Sequence, residues 1–130
     1  MTVLIAYAPG PRGDAALEEG VAEATRRDTP LVIINVAHGD SYVEPDIATG
    51  GQLAQLRSLT ETWAVPASIL QPVDAPPVEA ILTAITKHNA EVLVLGIRKR
   101  TPVGKLLMGS IAQQLLLQAP CPVLAVKAAD

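Results

Sequence analysis

Four cations and three glycines gather in one stretch of this 130-residue chain, Gly96-Ile97-Arg98-Lys99-Arg100-Thr101-Pro102-Val103-Gly104-Lys105-Leu106-Leu107-Met108-Gly109-Ser110. Arg98, Arg100 and Lys105 could donate charge-assisted hydrogen bonds to phosphate oxygens. Gly109-Ser110 precedes a helical pattern, where free amides and the positive end of the helix dipole suit an anion. Ser110 could cap that helix or offer its hydroxyl to phosphate. Gly96 ends an apolar run, and a glycine there lets a ligand or another backbone come close. A glycine-permitted turn, an ordinary serine cap and a solvated cationic loop would explain the same residues without any ligand.

Other chemistries find less support. Gly104-Lys105 looks like the tail of a P-loop, but Lys99 and Leu106 stand where that motif needs a glycine and a hydroxyl. Gly10 and Gly13 do not spell the dinucleotide fingerprint, and the second apolar run has no acid at its end to hold a ribose. No residue set pairs a nucleophile with a base. His88 suits a helix C-terminus, while His38, past the second apolar run, could face a crevice. Cys121, between Pro120 and Pro122, reads as a small packed side chain rather than a reactive thiol. With one cysteine there is no internal disulfide and no cysteine-based structural zinc. No carboxylate lies near the basic stretch in sequence, so no metal site is expected there.

Composition bounds the rest. The chain is 49% hydrophobic and 18% charged, which excludes disorder and suits one domain over 1–130. Its net charge of −3 and three aromatic residues (Trp63, Tyr7, Tyr42) argue against a nucleic-acid binder. No acid falls between Glu91 and Asp130, so the cationic stretch is a local device on an acidic protein. Apolar runs are strand-sized, too short to span a bilayer, and 1–8 lacks the marks of a secretory leader. The expected setting is a reducing cytoplasm.

The elements that must carry these residues alternate. Val3–Tyr7 reads as a strand buried on both faces, and Leu31–Val36, Val92–Leu95 and Val123–Val126 read as further apolar strands. Val65–Val73 reads as a strand bracketed by Pro66 and Pro72, and proline suits an edge or a strand end. A first helix is expected from about Asp14 to Arg27. A second, with Leu53, Leu56, Leu59 and Trp63 on one side, is expected to start near Gln52. A third opens at Pro76-Pro77 and buries Val78, Ile81, Leu82 and Ile85. The last runs from Ser110 to about Gln118 with Ile111, Leu115 and Leu116 inward. This βαβαβαβαβ order predicts a mostly parallel sheet covered on both faces. Ligands of such sheets bind beyond the carboxyl ends of the strands, where strand order reverses.

The Gly96–Ser110 segment, the Pro120–Val126 ending and the element order together resemble the universal stress protein family over essentially the whole chain. The resemblance implies an α/β fold of the adenine-nucleotide alpha-hydrolase-like kind: a five-stranded parallel sheet, doubly wound, strand order 3-2-1-4-5. The family's nucleotide-binding members carry G-x-x-G, nine further residues, then G-[ST]. Gly96 and Gly109-Ser110 match, while Lys99 replaces the second glycine. Ala8 stands where the family has an aspartate after the first strand, and Val36 would offer its backbone to adenine. The implied nucleotide-facing set is therefore Ala8, Val36, Gly96, Arg98, Lys99, Arg100, Lys105, Gly109 and Ser110, with ATP, ADP or AMP as ligand. Lys99 has a Cβ where the glycine lets backbone approach phosphate. With Arg98 and Arg100 it could instead hold the anion by side chains. The resemblance also implies a homodimer through Val123–Lys127. Three functions remain open: a nucleotide-binding stress-response signalling domain, a nucleotide-free dimeric interaction module, and a weak ATPase or phosphotransferase.

Overall fold

A computed structural model describes residues 1–36, 50–72, 75–97 and 109–128. Nine elements alternate along the chain: β1 (Thr2–Ala6), α1 (Pro11–Arg27), β2 (Leu31–Ile34), α2 (Gly50–Thr60), β3 (Ala67–Leu70), α3 (Pro77–Lys87), β4 (Ala90–Ile97), α4 (Ser110–Gln118) and β5 (Val123–Lys127). All strand pairs are parallel, and the sheet order is β3-β2-β1-β4-β5, as the family resemblance implies.

The period of two along each strand divides the core into two layers. Val3, Ile5, Leu31, Ile33, Val92 and Val94 face one way, against Ala16, Leu17 and Ala24 of α1 and Leu56 of α2. Leu4, Val32, Ile34, Leu93 and Leu95 face the other, against Ile81, Ala84 and Ile85 of α3 and Leu115 of α4. Each fully buried aliphatic side chain here contributes roughly 1.5–3 kcal/mol of burial. The β3 strand is shorter than Val65–Val73 and lies at the sheet edge, where its flanking prolines cost no ladder bond.

Several expected boundaries move. Helix α1 begins a turn earlier than Asp14, because Pro11 takes its first position behind Gly10, whose φ of 117° only glycine adopts without strain. Helix α2 runs through Gly50 and Gly51 rather than starting at Gln52, and it buries only Leu56. Leu59 is exposed, and Trp63, past the helix end, packs only at the margin of the core. In α4 Leu115 faces inward, but neighbouring Leu116 is turned largely outward, since residues one apart on a helix point about 100° apart. Strand β4 does not stop at Gly96. It continues to Ile97, with Gly96 paired to Val126 and Ile97 to Lys127.

At the far end of α1, Arg26 and Arg27 donate to Glu23, and Arg27 also reaches Glu91 at the start of β4. These arginines hold the Glu23 carboxyl below its ordinary pKa. Asp28 ends the helix in a left-handed conformation.

Candidate functional site

Strand order reverses between β1 and β4, because the chain winds outward through β2 and β3 and then crosses back by α3. Beyond the carboxyl ends of these strands lies a cleft of about 120 Å³. Its walls are Ala6, Tyr7 and Ala8 at the end of β1 and just past it, Ile34 and Val36 at the end of β2 and just past it, and Leu95, Gly96 and Ile97 at the end of β4. Arg12 and Gly13 of α1, Pro77 and Ile81 of α3, and Gly109, Ile111, Ala112 and Leu115 of α4 complete it.

The interior is apolar and the rim is not. The first intrahelical bond of α1 runs from the Asp14 amide to the Gly10 carbonyl, and that of α4 from the Gln113 amide to the Gly109 carbonyl. The amides of Arg12 and Gly13, and of Ser110, Ile111 and Ala112, thus have no acceptor within their own helices. Two positive helix ends therefore open on one cleft, and among the described residues no side chain caps them.

Close packing sets the distance between these parts. Gly96 follows Val92 and Val94 on the α1 face of β4, and a Cβ there would lie 2.0 Å from the Arg12 carbonyl oxygen. A Cβ on Gly13 would lie 1.6 Å from the Ala8 carbonyl oxygen. Both glycines exist so that the first turn of α1 can seat against the strand ends. Of the two uses the sequence left open for Gly96, the structure shows the approach of another backbone.

The floor is braced from behind by Asn35, which is fully buried. Its Nδ2 donates to the Tyr7 carbonyl at 2.9 Å, and its Oδ1 accepts from Gln71 Nε2 at 3.0 Å. The Tyr7 amide donates to the Ile34 carbonyl, and the Asn35 amide to that of Leu70. This chain ties the ends of β1, β2 and β3 at the level of Ala8 and Val36. Burial, and then the nearby Asp14 carboxylate, push the Tyr7 phenol above its ordinary range.

Of the residues singled out in sequence, Ala8, Val36, Gly96 and Gly109 meet in the cleft. Ser110 does not line it. It borders a second groove, of about 410 Å³, between α3 and α4, beside Pro76 and Gln114. It is also not the helix cap; that place belongs to Gly109. Arg98, Lys99, Arg100, Lys105 and His38 lie outside the described residues. His88 follows the last turn of α3, as its place in sequence suggested. Cys121 is partly buried against the α3–α4 layer, and burial raises its thiol pKa more than a backbone contact at Leu93 lowers it. Sequence reasoning missed Arg12 and Gly13. Proline at a helix start was the available signal, but by local rules Pro-Arg-Gly reads as a turn. Among the described residues no group of three or more His, Cys, Asp or Glu could hold a metal, and no helix is long and apolar enough to cross a membrane.

Residues 1–127 match the model of the universal stress protein family. A universal stress protein of Mycolicibacterium smegmatis is 48% identical over 125 residues, 96% of each chain. Among solved structures, a universal stress protein from Archaeoglobus fulgidus superposes with a TM-score of 0.77 at 26% identity, covering 97% of both chains. Another from the same organism, in complex with dAMP, gives 0.71 at 21% identity over 97% of this chain and 96% of that one.

Proposed function

Since the chain belongs to the universal stress protein family, we propose that it is a stress-response signalling domain whose cleft between β1 and β4 takes an adenine nucleotide. The observation that carries this reading is the pair of uncapped helix N-termini opening on one apolar cleft. A planar base fits the apolar side formed by Ile34, Val36 and Ile81, with the Val36 backbone at its edge. The phosphate end meets the amides after Gly109 and those of Arg12 and Gly13. Arg98, Lys99, Arg100 and Lys105 belong to the segment joining β4 to α4, and they supply side-chain donors to the same anion. A relative of the same fold that was solved with dAMP supports the ligand class. The reading assigns binding and asks for no catalytic group. A reducing cytoplasm suits the free Cys121.

Calorimetric titration with ATP, ADP and AMP tests the reading. Binding should be detected, and Arg98→Ala and Lys105→Ala should each weaken it roughly tenfold. No heat from any of the three would end the nucleotide reading. Unchanged affinity in both variants would remove those side chains from the site.

A second reading, pairing through β5, has its own support. The strand lies at the sheet edge and leaves Leu124 and Val126 only partly covered. Light scattering after size exclusion should give twice the chain mass, and Leu124→Lys should return the monomer. A monomeric wild type would exclude this mode of pairing.

A further inference from the structure

Arg12 is a charged residue of the cleft whose side chain the proposed nucleotide binding does not require, and the role assigned to it rests on that proposal. Among the described residues lining the cleft, Arg12 alone is charged. It is exposed and, among the described residues, makes no ion pair, whereas Arg26 and Arg27 at the other end of the helix are bound to Glu23 and Glu91. Arg12 occupies the second position of α1, where the helix dipole disfavours a cation. Asp14 lies in the same turn and offsets part of that field, but it does not line the cleft. Helix stability therefore gives no reason for an arginine here, while an anion in the cleft does.

The backbone of Arg12 cannot retreat. Its carbonyl sits against Gly96, and Gly13 beside it is seated on Ala8. The side chain is thus rooted at the rim while its guanidinium is free to fold over an occupant. We propose that the Arg12 side chain closes on the phosphate of the bound nucleotide and so adds to the preference of this cleft for a nucleotide over the free nucleoside. Its planar fork matches phosphate oxygens in a way that a lysine ammonium does not.

The test is calorimetry with AMP and adenosine on wild type, Arg12→Ala and Arg12→Lys, at low and raised salt. Arg12→Ala should weaken AMP about ten- to hundredfold. It should leave adenosine unchanged and flatten the salt dependence of AMP binding, while Arg12→Lys retains part of the affinity. The side chain is exposed, so all three proteins should melt alike. If wild type binds AMP and Arg12→Ala binds it equally well, or loses adenosine to the same degree, the inference is overturned and the nucleotide reading stands. If wild type binds neither compound, both fall together.

Discussion

Replacing Gly96 by alanine is expected to cost about 3 kcal/mol, or roughly 10 °C in melting temperature. A methyl group on β4 would lie 2.0 Å from the Arg12 carbonyl oxygen and 2.6 Å from its carbon. Both atoms are backbone, held by the first turn of α1, so no rotamer change relieves the overlap. The helix must move as a body. That movement would open the seam between α1 and β4 and weaken any ligand held between them. Gly50 provides the control, because among the described residues a Cβ there meets nothing within 4 Å. Alanine at Gly50 should be neutral or slightly stabilising. Thermal melts of both variants decide the matter: equal melting temperatures would mean that β4 and α1 are not in contact at Gly96.

Asn35→Leu should cost about 2–4 kcal/mol although the two side chains are of similar size. The substitution removes the donor to the Tyr7 carbonyl and the acceptor for Gln71, both supplied by a fully buried side chain. A buried polar group left without its partner costs about 1–3 kcal/mol. Burial also fixes the sign of a pH effect in Asn35→Asp. A carboxyl group at a fully buried position favours its neutral form, so its pKa rises above that of the unfolded chain. The variant should be most stable in acid, where the protonated group can still donate to Tyr7. Stability should be lost as pH rises through the raised pKa. Denaturant unfolding across pH checks both statements. A leucine variant as stable as wild type would mean that the strand ends need no polar brace.

The two variants separate the two supports of the cleft. Gly96 and Gly13 set how near α1 comes to the strands, and Asn35 sets where the strand ends stop. A ligand placed against Ala8 and Val36 depends on both.

Periodicity in the sequence was enough to determine the alternating elements and the two-sided burial of β1, β2 and β4, while the prolines around β3 pointed to an edge or a strand end. Apolar runs and helical stripes are local signals, and the residues that make them are consecutive or one turn apart. The family motif likewise pointed to the ends of β1, β2 and β4, and Ala8, Val36, Gly96 and Gly109 do meet there. Other matters were beyond its reach. Glycine is a strand breaker by local rules, yet Gly96 lies inside β4 because β5 supplies its ladder partner, Val126. Leu115 and Leu116 are chemically equivalent, and only the position of the sheet decides which one is buried. Ser110 looked like a cap and a ligand group, but the direction in which α4 leaves Gly109 turns it toward α3. Arg12 reads as part of a turn until α1 is laid across the end of β4. Tertiary structure decided these points because each depends on a neighbour distant in sequence: Gly96 with Arg12, Asn35 with Tyr7, and the first turn of α1 with that of α4.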